Sequence, residues 1–319
     1  MKKDTKIIIL LAILLVCVVA FKLTGYYNDK KEETTSVDFV DINREDIVKI
    51  SWNYAGIDYT IDKETGVWHW TGDEKFPVDE EKADNMAQKI ADITATRELE
   101  EEDLSEYGLN DSEISIEAVT TDGESYTFKI GNNNDLTNEN YVMLQGESKI
   151  YMVANTFASA FEKSIDDLLK MEEIPKVTNV NKISIVIEGD IIKEYKKSED
   201  GIWTDGTQTL DEQKVTSLAD KFLNLSWERC ESYNASDEVK SEKGFDNPYA
   251  KVTVSGEDGE EAVLLLAKDE YGVLYVKLDG SNMIYNVNLD ILDSVDINTE
   301  DLLPDEEKTS EESSVAEEQ

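Results

Sequence analysis

Apolar and polar positions alternate along most of residues 46–304, and the alternation is written twice. The stretches 47–52 and 58–61 read as strands joined by a turn at Ala55-Gly56, and Thr65-Gly66 turns the chain into an aromatic strand from Val67 to Trp70. The same order returns in 182–187, in 191–195, and in the Asp200-Gly201 turn that leads into Ile202-Trp203. The period then changes from two residues to about 3.6, the spacing of an amphipathic helix. Asp79 is placed to cap a helix whose Ala83, Met86, Ala87, Ile90 and Ile93 share one face. The run from Leu210 and Asp211, continued by Val215, Leu218, Phe222 and Leu225, repeats that design.

After each helix the period-two pattern resumes. Segments 97–103 and 229–232 are extended and acidic, and two hairpins turn at Asp122-Gly123 and Asp258-Gly259. The stretch 141–153 (YVMLQGESKIYMV) is then matched by 275–287 (YVKLDGSNMIYNV). Aligning these landmarks gives a repeat of about 134 residues. Trp68 and Trp203 fall at equivalent positions, as do Tyr141 and Tyr275, and Tyr151 and Tyr285. Large aromatics kept in two otherwise divergent copies read as core anchors. The expected fold class is α+β, with two tandem homologous domains at 46–172 and 181–304. Each would be a mostly antiparallel sheet of hairpins with one main packed helix, and a linker would lie at 173–180.

The ends read differently. Lys2, Lys3 and Lys6 precede the uncharged run 7–21 (IIILLAILLVCVVAF). If Lys22 snorkels and the segment continues to Tyr26-Tyr27, about 21 residues span roughly 31 Å, enough to cross the hydrocarbon core. Residues 1–27 are therefore expected to form a short cytoplasmic tip and a transmembrane signal anchor. Cleavage near Ala20 and lipidation at Cys17 are the competing readings. Because a long domain is translocated largely regardless of its charge, the body is expected outside the cytoplasm. Residues 28–45 read as a polar stalk and 305–319 as a disordered acidic tail.

Charge narrows the function classes. With 71 acidic against 31 basic residues the net charge is −40, which opposes binding to nucleic acid or anionic lipid. Of the two cysteines, Cys17 lies inside the apolar leader, so a structural disulfide with Cys230 is not expected. The single histidine, His69, sits between two tryptophans and lacks partners for a zinc site or a triad. No phosphate loop and no Gly-x-Ser-x-Gly elbow occurs, and carboxylates are too numerous for any pair to carry information. No catalytic residue, cofactor or metal ligand is assigned. The loop 131–140 differs most between the copies, and its Asn132, Asn133, Asn134, Asp135 and Asn138 form the one candidate contact surface, for a hard cation or a sugar.

The landmarks together resemble the bacterial DUF4340 family. They are the basic and apolar N-terminus, Gly66-Val67-Trp68 before the Pro77-Val78-Asp79 helix start, Tyr107-Gly108-Leu109, Ile130-Gly131, Tyr141-Val142 and Ile150-Tyr151-Met152-Val153. In the second copy Lys243-Gly244-Phe245 replaces Tyr-Gly-Leu, and Ala267 replaces Gly131. The resemblance implies an accessory role at the membrane, beside ABC-type export systems of the gliding-motility kind, and supplies no catalytic residues. The expected function is a membrane-anchored, extracytoplasmic, non-enzymatic module that binds partner proteins such as transporter subunits. The alternatives are a binding module for wall glycan or a divalent cation, and a hydrolase.

Overall fold

The structure, a computed structural model, describes residues 37, 40–100, 103–110, 112 and 114–305. The expected membrane anchor, most of the stalk and nearly all of the acidic tail lie outside the described residues. Among the described residues, no helix is long and apolar enough to cross a membrane.

The chain divides into two compact units, with the boundary at Leu169 and Lys170. The first contains β1 (Ile47–Tyr54), β2 (Ile57–Glu64), β3 (Val67–Trp70), helix α1 (Glu80–Ala91), β4 (Ala95–Leu99), β5 (Ser115–Thr120), β6 (Ser125–Asn134), β7 (Glu139–Leu144), β8 (Ile150–Ala154) and the short α2 (Asn155–Ser159). Its eight strands form one sheet in the order β3-β2-β1-β5-β6-β7-β8-β4, every neighbouring pair antiparallel. Since β3 and β4 are at opposite edges, the helix between them has to cross a face of the sheet. Asp79 caps its start by accepting from the Glu81 and Lys82 amides, and Ala83, Met86, Ala87 and Ile90 are its buried residues. Ile50, Trp52, Ile61, Trp68, Ile116 and Phe128 are buried on the sheet side of that core. Full burial of each such side chain contributes about 1.5–3 kcal/mol.

The second unit repeats this strand for strand and adds one short helix before its fifth strand. It has β9 (Val180–Ile187), β10 (Ile191–Lys197), β11 (Trp203–Thr204), α3 (Glu212–Leu223), β12 (Arg229–Ser232), α4 (Asp237–Glu242), β13 (Ala250–Gly256), β14 (Glu261–Lys268), β15 (Leu274–Leu278), β16 (Ile284–Asn286) and α5 (Ile291–Val295). The sheet order β11-β10-β9-β13-β14-β15-β16-β12 is that of the first unit with each strand replaced by its copy. The N-cap Asp211 and the buried Val215, Leu218, Ala219 and Phe222 of α3 match those of α1 position by position. The duplication is thus a duplication of the whole topology.

Two expectations need correction or placement. The units are predominantly β rather than α+β, because each sheet reaches eight strands while its inward core is completed by one long helix and a short closing helix with the segment after it. The acidic segments after the helices are part of this, since they close the sheet as the edge strands β4 and β12. Residues 173–180, expected as a linker, run along the second unit. Trp227 Nε1 donates to the Glu172 carbonyl at 2.6 Å, Ser281 Oγ to its carboxylate at 2.7 and 2.8 Å, and Ile174, Val177 and Val180 pack on the core.

The equivalent tryptophans are both 2% exposed, yet their indole N–H groups fare differently. Trp68 Nε1 donates to Asp84 at 2.9 Å, and Lys63 reaches the same carboxylate at 3.1 Å. Burial would raise the Asp84 pKa, but the Trp68 and Lys63 hydrogen bonds and the lysine charge together hold it below the usual carboxylate range. In the second unit the position five residues after the N-cap is Thr216, and the buried Trp203 Nε1 has no hydrogen-bond partner among the described residues. An unsatisfied buried donor costs about 1–3 kcal/mol. Asp84→Ala is therefore expected to lower the unfolding free energy by about 1–2 kcal/mol, and Thr216→Asp to raise it by about 1 kcal/mol. Chemical denaturation of the two variants beside the parent checks both signs.

Candidate functional site

Among the described residues, smaller apolar clusters cover the outward face near β7 and β8, and near β15 and β16, and these covers are where the two copies diverge. In the first unit the turn 104–109 lies on β6 and β7. The Asn132 amide donates to the Tyr107 carbonyl at 2.8 Å, and the contact is so close that a Cβ on Gly131 would stand 2.1 Å from that oxygen. Tyr107 meets Tyr141 edge to face at 4.7 Å, above a small outer core of Leu109, Met143 and Ile150. This interlock explains why Tyr-Gly-Leu and Ile-Gly occur together in the sequence.

In the second unit the cover is longer and contains α4. Lys243 takes the place of Tyr107 and lies 4.3 Å above the Tyr275 ring, donating to Glu231 at 2.7 Å and to the Tyr275 hydroxyl at 3.1 Å. Lys277, buried where the first unit has Met143, donates to the Leu278 and Ser281 carbonyls at 3.3 and 3.1 Å. Burial holds its amine below the usual lysine range, against the opposing charges of Asp279 and Glu172. Tyr285, also buried, stacks on Trp227 at 4.3 Å, and burial together with the Glu172 carboxylate raises its phenol pKa.

Residues 246–249, which lead from this cover into β13, wall a cleft of about 730 Å³, within the size range of small-molecule sites. Val186 and Lys251, register partners on β9 and β13, line it together with Glu188, Asp246, Pro248, Tyr249 and Lys268. Lys268 Nζ rests 3.6 Å above the Tyr249 ring, whose hydroxyl donates to Asp296 at 2.7 Å. Burial, the Asp296 hydrogen bond, and the charges of Asp296 and Glu188 push the Tyr249 phenol up to about 12. Glu188 belongs to the β9–β10 turn, with φ +51° before Gly189 at +78°. Lys268 also borders a second cleft of about 530 Å³, lined by Lys243, Gly244, Asp269, Glu270 and Tyr271. Tyr271 is 83% exposed there. These walls offer charges of both signs, hydrogen-bond donors and aromatic surface, which is the equipment of a binding site.

The Asn-rich loop is the tip of the β6–β7 hairpin, where the side chains of Asn132 and Asn134 are engaged within the unit and Asn133, Asp135 and Asn138 are exposed. Asn134 accepts from the Leu136 amide at 3.0 Å and donates to the Tyr141 hydroxyl at 3.1 Å, while Asn132 donates to the Glu106 carbonyl at 3.4 Å. Asn138 turns the chain with φ +56°, and its amide donates to the Asn134 carbonyl at 2.8 Å. Among the described residues no group of three or more His, Cys, Asp or Glu is placed to hold a metal ion. The structure therefore places the candidate loop on the first unit and the cleft of about 730 Å³ on the second. Sequence reading passed over Glu188, Tyr249, Lys251 and Lys268. The available signal was the longer stretch between β12 and β13, with its Asp-Asn-Pro-Tyr run, compared with the 100–114 stretch of the first copy.

A family model described as "Domain of unknown function (DUF4340)" matches residues 68–205 and again 202–317. The chain belongs to the DUF4340 family. No curated protein and no solved structure matches it. The two DUF4340 matches begin at or just before the equivalent tryptophans, so their phase is shifted by two strands from the compact units. A tandem repeat permits this, since a period can be cut at any point, and the closed sheets of this DUF4340 chain show where the physical units end.

Gly244 holds the cleft wall in place. It has φ +86°, and a Cβ there would stand 2.2 Å from the Lys268 carbonyl oxygen, whereas Gly259 at φ +83° has nothing within 4 Å. Gly244→Ala is expected to cost about 1–3 kcal/mol more than Gly259→Ala, as measured by denaturant unfolding. A second expectation concerns pH. A phenol whose pKa is raised on folding favours the folded state below its unfolded pKa near 10, and that contribution is lost as pH climbs to about 12 for Tyr249 and Tyr151. Unfolding free energy should thus fall between about pH 10 and 12, and less steeply in Tyr249→Phe.

Proposed function

We propose that this DUF4340 protein is a non-enzymatic binding module, held at the membrane by its N-terminal segment with both units outside the cytoplasm. Its partners are envelope or membrane proteins, with subunits of an ABC-type transporter the leading class. The carrying observation is how the two copies differ. Strand order, helix caps and buried tryptophans are shared, while the covers of the outward face diverge, from Tyr107 over Tyr141 to Lys243 over Tyr275. A common scaffold with two differently covered faces suits recognition, in which specificity is carried by surface segments on a rigid sheet. A reaction centre would instead need a nucleophile and a base in fixed apposition. The side chains around the larger cleft supply ammonium, carboxylate, phenol and amide groups without a histidine or cysteine.

Reporter fusions and capture test the two parts of this reading. Alkaline phosphatase joined after residue 305 should be active, and an inactive fusion would count against the extracytoplasmic placement. Crosslinking in intact cells followed by detergent extraction should recover transporter subunits with the full chain. Recovery of the chain alone, at crosslinker levels that trap a known transporter pair, would overturn the partner assignment.

A further inference from the structure

We infer that the cleft walled by residues 246–249 binds a small zwitterion of the amino-acid or dipeptide kind, its carboxylate held by Lys268 and Lys251 and its ammonium by Glu188 and Asp246. The inference rests on the reading of the chain as a binding protein and adds a ligand chemistry to it. Its starting point is two charges left open in the same cleft. Lys268 Nζ lies over the Tyr249 ring, and among the described residues it has no carboxylate within ion-pair distance. The ring occupies one side of this ammonium, which carries three donors and can still offer hydrogen bonds to a ligand carboxylate. The Glu188 carboxylate likewise has no partner among the described residues, yet it is close enough to Tyr249 for its charge to act on the phenol. Lys251 and Asp246 bring a second charge of each sign. Lys251 reaches Asp279 only at 3.6 Å, and Asp246 accepts from Ser241 at 2.6 Å.

The balance of signs decides the ligand class. A simple anion would have to approach a protein of net charge −40, and a simple cation would leave both lysines unpaired. A neutral zwitterion escapes the long-range repulsion and offers each wall its complement. Val186, Pro248 and the Tyr249 ring supply the apolar surface that an amino-acid side chain would cover, and the cleft is large enough for one or two residues. Among the described residues the equivalent cover of the first unit is the turn 104–109, and the proposed site is that of the second copy.

The test is calorimetric titration of the full chain with L-alanyl-L-phenylalanine, its N-acetyl derivative and its C-terminal amide. The free dipeptide should bind at least about tenfold more tightly than either blocked form, a difference of about 1.4 kcal/mol. Lys268→Met and Glu188→Gln should each weaken it about tenfold, with melting temperatures of the unliganded variants close to the parent. The proposal is overturned if no form binds at about 10 mM, if a blocked form binds as well as the free one, or if both variants bind like the parent. Chromatography of the dipeptide after incubation separates this from the parent reading. Hydrolysis would sink the non-enzymatic assignment while leaving the cleft occupied, whereas unchanged partner crosslinking in a chain that binds no dipeptide would retire the cleft alone.

Discussion

In each unit a single helix leaves a strand at one edge of an eight-stranded antiparallel sheet and must reach the strand at the other edge. The route is possible only across the face, so the helix is committed to burying one side along its whole length. Its side chains there are small or slender in the first unit, Ala83, Met86, Ala87 and Ile90, and bulkier in the second, where Phe222 replaces Ile90. The sheet side of the core differs as well: Trp52 and Phe128 of the first unit stand where the second has Ile185 and Leu264, and Ile61 stands where the second has Tyr195. Large and small side chains are thus redistributed within the same framework of strands.

That arrangement leaves the outward face free to change. Near β1, β2 and β5 it is polar, and near β7 and β8 a segment from the end of β4 folds over it to make a second, smaller core. Replacing Met143 by Lys277 in the other copy puts an ammonium where a thioether stood. The structure accommodates it with two backbone carbonyls and a ring at 5.9 Å, and a salt bridge is not used. Buried charges are tolerated when hydrogen bonds replace the lost water. Together with Lys243 and Lys268, this turns an apolar outer core into a set of lysines over aromatic rings, with the cleft at its margin.

Much of the scaffold was legible in one sequence. The repeated strand and turn signals, Asp79 and Asp211 as helix caps, the buried helix faces and the equivalent tryptophans all follow from local chemistry: period, capping and turn propensity act over a few residues. The Tyr141 and Tyr275 hairpins likewise carry their own turn. What misled was proportion. Segments 97–103 and 229–232 have no local pattern that shows them as edge strands, because their pairing partners, β8 and β16, are more than fifty residues away in the chain.

The sequence by itself determined the duplication, the order of elements, the helix faces and the large excess of negative charge, because each is written in neighbouring residues or in composition. Tertiary structure alone decided that the sheets are eight strands wide, that the amides of Asn132 and Asn134 are engaged within their own unit, and that Glu188, Tyr249, Lys251 and Lys268 meet in one cleft. Those four residues span some eighty positions and share no motif. They come together because antiparallel pairing sets β9 beside β13 and β13 beside β14, and register across strands is fixed by long-range pairing and packing that no short stretch of chain encodes.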